Sequence, residues 1–312
     1  MCRLFGMHAG PTPVAATFWL IDAPDSLAQQ SHRNPDGAGI GTFDDAGLPI
    51  VDKQPMAAWQ DTQFASAARD LRSSTFLAHV RYASTGGLSV DNTHPFMQAG
   101  RLFAHNGVVH GLGILNTRLE TLRALHHVHG DTDSERVFAL ITAETTRHDG
   151  DVTEGLKAAV DWITEHIPVY SLNLVLTTAT DLWALRYPAT HNLYVLARPS
   201  GGTAADLALD ARTTRIRARS EHLATRASLI IASEPMDADP GWRLLDPGEL
   251  LHVGVELTVE TRRPFPEQPH LLLTRSDLDP KTEASQHPDR PSRAGSHRPP
   301  EISNGRGDRY RT

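Results

Sequence analysis

The chain opens with Met-Cys-Arg-Leu-Phe-Gly at positions 1–6, and Cys2 is the only cysteine in 312 residues. If an aminopeptidase removes Met1, which a small second side chain permits, the new first residue carries both a thiol and a free α-amine. The thiol is a strong nucleophile near neutral pH, and the α-amine, with a pKa of about 8, can accept its proton. The stretch therefore predicts a nucleophile and a base on one residue. The alternative is a small residue beside a buried first strand at 3–8.

Composition limits the classes of protein that fit. The formal net charge is −7, which argues against a general nucleic-acid binder because such proteins normally present a basic face. Hydrophobic residues make up 39% of the chain, enough for a core, and the length allows one large domain or two ordinary ones. A single cysteine gives neither an internal disulfide nor a Cys-based zinc site, which fits a reducing compartment.

The sequence indicates neither a membrane span nor a secretory signal. The apolar stretch 14–21 is shorter than the run of about 18 residues that a span needs, and Asp22 and Pro24 follow it directly. The N-terminus also lacks the basic flank and long apolar core of a signal peptide. We therefore expect a cytoplasmic protein. A cleaved presequence would remove Cys2, the predicted nucleophile.

A turn-rich loop leads into the next strand with Asn-Pro-Asp-Gly-Ala-Gly at 34–39. Glycines at alternate positions, ending at Gly41, allow another backbone or a ligand to approach closely. A hairpin with a bulge is the alternative. The loop is not a phosphate-binding loop, because it lacks the Gly-Lys-Ser/Thr ending.

Arg81 lies inside an apolar strand predicted at 75–84. A buried arginine is costly unless it meets an anion. That anion is either a structural carboxylate or a substrate carboxylate, for which the planar guanidinium offers bidentate recognition. The residue alone leaves both alternatives open.

A polar His-Asn-Gly triplet at 105–107 directly follows an apolar run. The Asn106 side chain and the Gly107 backbone N–H, adjacent at the end of a strand, are suited to an oxyanion hole. The alternative is a strand-terminating Asn-Gly turn.

Acidic residues precede a predicted helix in Gly-Asp-Thr-Asp-Ser-Glu at 130–135. Thr132 and Glu135 have capping-box spacing, and Asp133 suits a helix N-terminus on dipole grounds alone. The nearby histidines at 126, 127 and 129 do not predict a metal site, because neighbouring histidines on one helix point in different directions.

The second half of the chain is predicted to consist mainly of strands, with irregular segments between them. Strands at 169–178, 182–187 and 192–197 are predicted to form an antiparallel meander, and further strands are expected at 228–233 and within 249–261. The stretch 199–226 is interpreted as a solvated insertion. From about Ser276 the composition predicts a disordered tail, 276–312.

Six motifs together resemble the class II, N-terminal nucleophile, glutamine amidotransferases, in the order and at the spacing of that family. They are Met-Cys-Arg-Leu-Phe-Gly at 1–6, Asn-Pro-Asp-Gly-Ala-Gly at 34–39, Ala-His-Val-Arg-Tyr-Ala at 78–83, Asn-Thr-His-Pro-Phe at 92–96, Ala-His-Asn-Gly at 104–107 and Gly-Asp-Thr-Asp-Ser-Glu at 130–135. The resemblance implies a domain over 2–272. Within the class, the chain is most similar to the stand-alone branch that contains γ-glutamyl hydrolases of ergothioneine synthesis and of glutathione breakdown.

The resemblance implies an α+β fold, an αββα four-layer sandwich of two antiparallel sheets. It also implies a role for each matching residue. Cys2 would be the nucleophile and its own α-amine the base, and Asn106 and Gly107 would form the oxyanion hole. Arg81 would bind the α-carboxylate of a γ-glutamyl group and Asp133 its α-ammonium. Further candidate substrate-binding residues are Ser84, Thr85 and His94.

The expected reaction is hydrolysis of a γ-glutamyl amide, in glutamine or in a γ-glutamyl peptide or conjugate, through a Cys2 thioester and without a cofactor or a metal. No synthase domain follows, so ammonia would need a partner protein as acceptor, or the reaction is plain hydrolysis; neither a nucleic acid nor a membrane is an expected partner. The alternatives are a γ-glutamyl-sensing protein without catalysis and a scaffold subunit of a larger synthase. One departure from the branch is Ala38, where a tryptophan often follows Asp-Gly. The residues most suited to select the leaving group lie in 43–60 and 199–226.

Overall fold

Two antiparallel sheets lie face to face in a computed structural model, which describes residues 2–83, 85–199 and 226–286. The first sheet has the order β11 (Arg243–Leu244), β9 (Tyr194–Arg198), β10 (Ser228–Ala232), β1 (Arg3–His8), β4 (Thr75–Arg81), β2 (Gly37–Phe43) and β3 (Pro49–Gln54). The second has the order β13 (Val259–Arg262), β12 (Glu249–Val253), β8 (Leu182–Arg186), β7 (Val169–Thr177), β6 (Arg101–Val109) and β5 (Phe96–Gln98).

Helices cover the outer face of each sheet. The first sheet packs against a π-helical turn (Phe18–Asp22), α1 (Leu27–Gln30) and α2 (Thr62–Asp70). The second packs against α3 (Leu112–Thr121), α4 (Asp133–Arg147) and α5 (Val152–His166). The other helical segments in the described ranges are 3-10 turns at Leu125–His127 and Arg275–Asp277 and a short helix, α6 (Pro280–Ser285). Among the described residues, no helix is long and apolar enough to cross a membrane. The predicted αββα four-layer sandwich is confirmed.

The direction of each functional side chain follows from the alternation of residues along the strands. On β1, Phe5 packs against the first helices, while Leu4 faces the space between the sheets. Leu77 of β4 and Leu102 of β6 face the same inner space, and Phe103 packs outward against α4 and its neighbours. By this alternation the even residues of β1 and β6 and the odd residues of β4 point inward.

Two glycines allow these layers to come close together. A Cβ on Gly6 would lie 2.9 Å from the side chain of Val175 across the inner space. A Cβ on Gly39, in β2, would collide with the backbone carbonyl of His94. The prediction that another part of the chain closely approaches the alternating glycines is therefore confirmed at Gly39.

The predicted capping of α4 is half confirmed. Thr132 is the N-cap, and its hydroxyl accepts the N–H of Glu135 at 3.2 Å. The Glu135 carboxylate does not return to Thr132. It instead accepts the N–H groups of His129 at 3.1 Å and Gly130 at 2.7 Å. The carboxylate thereby fixes the loop that leads into Asp133.

The predicted meander of three strands is wrong in its last member. β7 and β8 pair as predicted, but β8 pairs next with β12. β9 instead crosses to the first sheet, where it lies between β10 and β11. Its inward residue Val195 packs across the inner space, so the crossing helps to close the core between the sheets.

The sequence analysis places the start of the disordered tail too near the N-terminus. Residues 275–277 form a 3-10 turn and α6 follows at Pro280–Ser285, with Asp279 as its N-cap. Leu278 packs with Val108 and Tyr170 in a small buried cluster, which attaches this segment to β6 and β7. The rest of the predicted tail, 287–312, and nearly all of the predicted insertion, 200–225, lie outside the described residues.

Candidate active site

Cys2 stands at the inward-facing start of β1. The register pairs Arg3 with Val80, so continuing the ladder brings Cys2 to the end of β4. There the Tyr82 N–H points at Sγ at 3.3 Å, and the thiol lies 3.5 Å from the Tyr82 carbonyl. A backbone N–H aimed at the sulfur stabilises negative charge on it. The half-buried thiol is thus held between the two backbone groups of Tyr82.

Asn106 reaches Cys2 from the other sheet. It lies on the inner face of β6, and its Nδ2 donates to the Cys2 carbonyl at 3.0 Å. The side chain is buried and therefore held in a fixed position beside the nucleophile. The structure thereby brings together the predicted nucleophile and the first predicted oxyanion-hole residue.

Gly107, the second predicted oxyanion-hole residue, occupies a position that only glycine fits. A Cβ there would collide with the backbone carbonyl of Ser171, on β7, and with the His105 ring. The strand continues through this position to Val109, so the predicted Asn-Gly turn does not form. The triplet stays within β6, which fixes the backbone next to Asn106.

Arg81 points into the inner space at the end of β4 and is 3% exposed. Its guanidinium donates to the Thr85 carbonyl at 2.5 Å and to the Gly87 carbonyl at 3.1 Å. Burial lowers the pKa of Arg81, while the nearby Cys2 and Asp133 act in the opposite direction. Among the described residues, no carboxylate forms an ion pair with it.

Asp133 is the first residue of α4 and is 2% exposed. Its Oδ2 accepts the Val109 N–H at 3.0 Å, and Thr85 Oγ1 donates to its Oδ1 at 3.4 Å. The Asp133 side chain also lies at the partial positive charge of the helix N-terminus. No cation of the described chain pairs with Asp133. Thr85 therefore contacts both buried charges, Arg81 through its carbonyl and Asp133 through its hydroxyl.

Asp36 is a supporting residue that the sequence analysis did not single out. Its carboxylate accepts the Ala83 N–H at 2.8 Å, and its own N–H donates to the Arg81 carbonyl at 3.0 Å. These two bonds hold the chain on either side of Tyr82, whose N–H faces the thiol. Asp36 belongs to the Asn-Pro-Asp-Gly stretch, where it was interpreted only as a turn former.

His94, a further predicted substrate-binding residue, is surrounded differently. It is buried, its ring lies tilted against that of His79 with centroids 4.2 Å apart, and neither ring nitrogen has a hydrogen-bond partner among the described residues. Burial lowers its pKa well below the ordinary value. The contact of His94 with substrate stays a prediction. Ser84 lies outside the described residues.

The opposite end of α4 carries a separate concavity. Its volume is about 380 Å³, and its lining includes Arg123, Arg147 and the adjacent rings of His126 and His127, which are tilted against each other. None of the predicted site residues lines it. Among the described residues, no group of three or more potential ligands is arranged to hold a metal ion.

Comparison with known proteins identifies the family. The family model of the class-II glutamine amidotransferases matches residues 1–271. The chain belongs to this family. The matched range includes every site residue described above, so the arrangement around Cys2 lies within the class-II glutamine amidotransferase domain.

One relative in sequence is the γ-glutamyl-hercynylcysteine sulfoxide hydrolase of Mycobacterium tuberculosis. It is 30% identical over 282 residues, which cover 85% of this chain and 100% of the relative. The relatives of this class II glutamine amidotransferase thus include a γ-glutamyl hydrolase of similar extent, which supports an enzyme that acts on carbon–nitrogen bonds.

Solved structures share the fold at lower identity. A glutamine aminotransferase class-II domain protein from Silicibacter pomeroyi has a TM-score of 0.54 and 23% identity, covering 85% of this chain and 100% of that one. The glutamine phosphoribosylpyrophosphate amidotransferase of B. subtilis has a TM-score of 0.58 and 18% identity, covering 86% and 50%. These likenesses support the N-terminal nucleophile fold.

Proposed function

We propose that this class II glutamine amidotransferase hydrolyses a γ-glutamyl amide through a thioester on Cys2. One observation carries the proposal: Arg81 and Asp133 are buried charges of opposite sign, both contact Thr85, and neither is in an ion pair among the described residues. Leaving charges buried without a partner lowers stability unless a ligand supplies one. The α-carboxylate and α-ammonium of a γ-glutamyl group are such a pair of charges.

The reaction starts once Met1 is removed and the Cys2 α-amine takes the proton of the thiol. The thiolate attacks the γ-carbonyl carbon, and Asn106 and Gly107 supply the hydrogen bonds that stabilise the oxyanion. The carbon–nitrogen bond then breaks, and the α-ammonium gives its proton to the leaving amine. Water, deprotonated by the same α-amine, attacks the thioester; the carbon–sulfur bond breaks and glutamate leaves.

Two kinds of leaving group fit this mechanism. The relative from M. tuberculosis acts, by its name, on a γ-glutamyl conjugate, and its full length aligns with this chain. We therefore favour a γ-glutamyl peptide or conjugate with water as acceptor. The other substrate is glutamine, with ammonia passed to a partner synthase. A domain over 2–272 would carry the whole reaction, in a reducing compartment such as the cytoplasm, where a free thiol persists.

The direct test is release of glutamate by the purified protein from a panel of γ-glutamyl compounds. The panel contains glutamine, γ-glutamyl dipeptides and γ-glutamyl conjugates of sulfur-containing amines. N-acetylglutamine, which lacks the α-ammonium, and the α-amide isoglutamine are the matched controls. We expect turnover of at least one γ-glutamyl amide and none of either control. Binding without glutamate release would favour a sensor or scaffold, and equal turnover of N-acetylglutamine would contradict the role of Asp133.

A further inference from the structure

Asn92, from the Asn-Thr-His-Pro-Phe motif, connects the two halves of the charged site. Its side chain is buried. Nδ2 donates to the Gly87 carbonyl at 3.2 Å, and Oδ1 accepts the Asp131 N–H at 2.8 Å. A carbonyl can only accept and a backbone N–H can only donate, so these partners allow one orientation of the amide. One side chain thereby joins the loop that follows Arg81 to the segment that precedes Asp133.

The Gly87 contact bears on Arg81. The same carbonyl accepts Arg81 Nη1 at 3.1 Å, so it lies between two donors, the guanidinium and the Asn92 amide. A carbonyl oxygen has two lone pairs and can accept from both. Holding this carbonyl in place therefore also holds the guanidinium, whose orientation determines how it can meet a substrate carboxylate.

The Asp131 contact bears on Asp133. The Glu135 carboxylate holds two N–H groups of the segment before α4, and Asn92 Oδ1 holds the next one, that of Asp131. A Cβ on Gly130 would collide with Asn92 Oδ1, so the absence of a side chain there lets the amide approach. Asp133 follows as the first residue of α4, and these bonds fix the backbone that leads into it.

A zwitterionic ligand makes the separation of the two site charges important. Its α-carboxylate and α-ammonium are attached to one carbon atom, so Arg81 and Asp133 must stand at a fixed distance to bind both. Arg81 ends a strand of the first sheet, whereas Asp133 begins a helix that covers the second. Thr85 also spans the two, but its hydroxyl lies 3.4 Å from Asp133 Oδ1, which is long for a hydrogen bond.

We propose that Asn92 is a positioning residue that sets the separation of Arg81 and Asp133 through its two backbone contacts. The inference rests on the proposed function, because the separation matters only for a ligand that carries both charges. Asn92 need not touch the substrate or the reacting atoms for this role. Its loss should therefore weaken substrate binding more than the chemical step.

Two substitutions remove the connection from opposite sides. Asn92→Ala deletes the amide, and Gly130→Ala leaves the amide in place but adds a methyl group that displaces Oδ1. For each we expect KM to rise by about 10- to 100-fold with kcat within about threefold of wild type, because a misplacement of about 1 Å has effects of that size.

The experiment is a double-mutant cycle. It measures kcat and KM for wild type, Asn92→Ala, Asp133→Asn and the double variant, on the γ-glutamyl amide that wild type turns over best. Cys2 is counted by alkylation with iodoacetamide, which carries no γ-glutamyl group. Residues that act together give non-additive effects, so the rise in KM of the double variant should fall short of the product of the single effects by at least about threefold.

The control is His8→Ala, at the opposite end of β1. It also removes a side chain that contacts a backbone carbonyl and a backbone N–H, and it should leave KM unchanged. A higher KM in Asn92→Ala with the expected shortfall supports the inference. An unchanged KM, a full product, or an equal rise in His8→Ala overturns it. If Asn92→Ala does not fold, Gly130→Ala takes its place in the cycle and decides by the same criteria. If wild type turns over no γ-glutamyl amide, the proposed function itself fails and the inference falls with it.

Discussion

The inner face of β1 ends in Cys2 on one side and in His8 on the other, and the two ends are built differently. At the His8 end, Nε2 lies 2.7 Å from the Thr180 carbonyl, and Nδ1 accepts the Gly10 N–H at 3.0 Å. The neighbouring Thr75 hydroxyl donates to the Thr178 carbonyl at 2.6 Å. Each of these side chains has a partner within the fold, as stable buried polar groups normally do.

The buried charged side chains at the Cys2 end lack such partners of opposite charge among the described residues. Among the described residues, Arg81 donates to two backbone carbonyls, Asp133 accepts from one N–H and two hydroxyls, and neither side chain forms an ion pair. The same strands therefore carry one end whose polar side chains are paired within the fold, and one end with two buried charges that have no ion-pair partner among the described residues. Substitutions should separate the two: changes at the Cys2 end should alter kinetics, and changes at the His8 end should alter stability.

The largest effect is expected for Cys2→Ala. Removing the sulfur removes the nucleophile, so kcat should fall by at least about 10⁴-fold, as for other covalent nucleophiles. The melting temperature should change little, because the thiol contributes only weak contacts with Tyr82. Turnover assays and thermal unfolding measure the two quantities. A variant with appreciable turnover would show that the chemistry does not pass through Cys2.

The next effect is expected for Asn106→Ala. Loss of one oxyanion donor typically lowers kcat by about 10²- to 10³-fold, with less effect on substrate binding. Steady-state kinetics on protein counted by Cys2 labelling would measure it. A loss expressed only as a higher KM would place Asn106 in ground-state binding and not in the oxyanion hole.

Smaller kinetic effects are expected at the two buried charges. Arg81→Lys keeps the positive charge but loses the planar guanidinium and its paired donors. Asp133→Asn keeps the shape of the side chain but loses its negative charge. Hydrogen bonds to charged groups contribute about 1.5–3 kcal/mol, so each variant should raise KM by about 10- to 100-fold. Asp133→Asn removes a buried charge but also weakens the hydrogen bonds that the carboxylate accepts, so the melting temperature should change little. An unchanged KM in both variants would contradict zwitterion recognition.

The smallest kinetic effect is expected at the opposite end, for His8→Gln. Burial lowers the pKa of His8, so the folded state favours the neutral ring. Stability from this residue is complete above its unfolded pKa of about 6.5 and is lost as the pH falls below that value, because only the unfolded chain takes up the proton readily. The variant should lose about 1–2 kcal/mol at pH 7 and show a shallower acid limb in unfolding experiments, with kcat unchanged. A substantial loss of kcat would show that the two ends are coupled.

The sequence predicts the residues at the Cys2 end better than the elements that hold those residues in position. Arg81 was detectable because a cation in an apolar strand needs an explanation, and the family resemblance supplied roles for Asn106 and Asp133. The crossing of β9 was not predictable, because a short apolar strand has the same local pattern in either sheet and packing across the core decides its place. The helix α6 was missed for a related reason: its segment is held by hydrogen bonds and one small cluster, so its polar composition resembles a disordered tail.

The central claim, that a processed Cys2 is a γ-glutamyl-directed nucleophile, is tested most directly by intact-mass analysis. The purified protein is measured before and after incubation with 6-diazo-5-oxo-norleucine, an electrophilic glutamine analogue, alongside Cys2→Ala and Asp133→Asn. The account predicts loss of Met1, a single adduct on Cys2, no adduct in Cys2→Ala and slower labelling of Asp133→Asn. Retention of Met1 with no adduct, or an adduct that persists in Cys2→Ala, would contradict it.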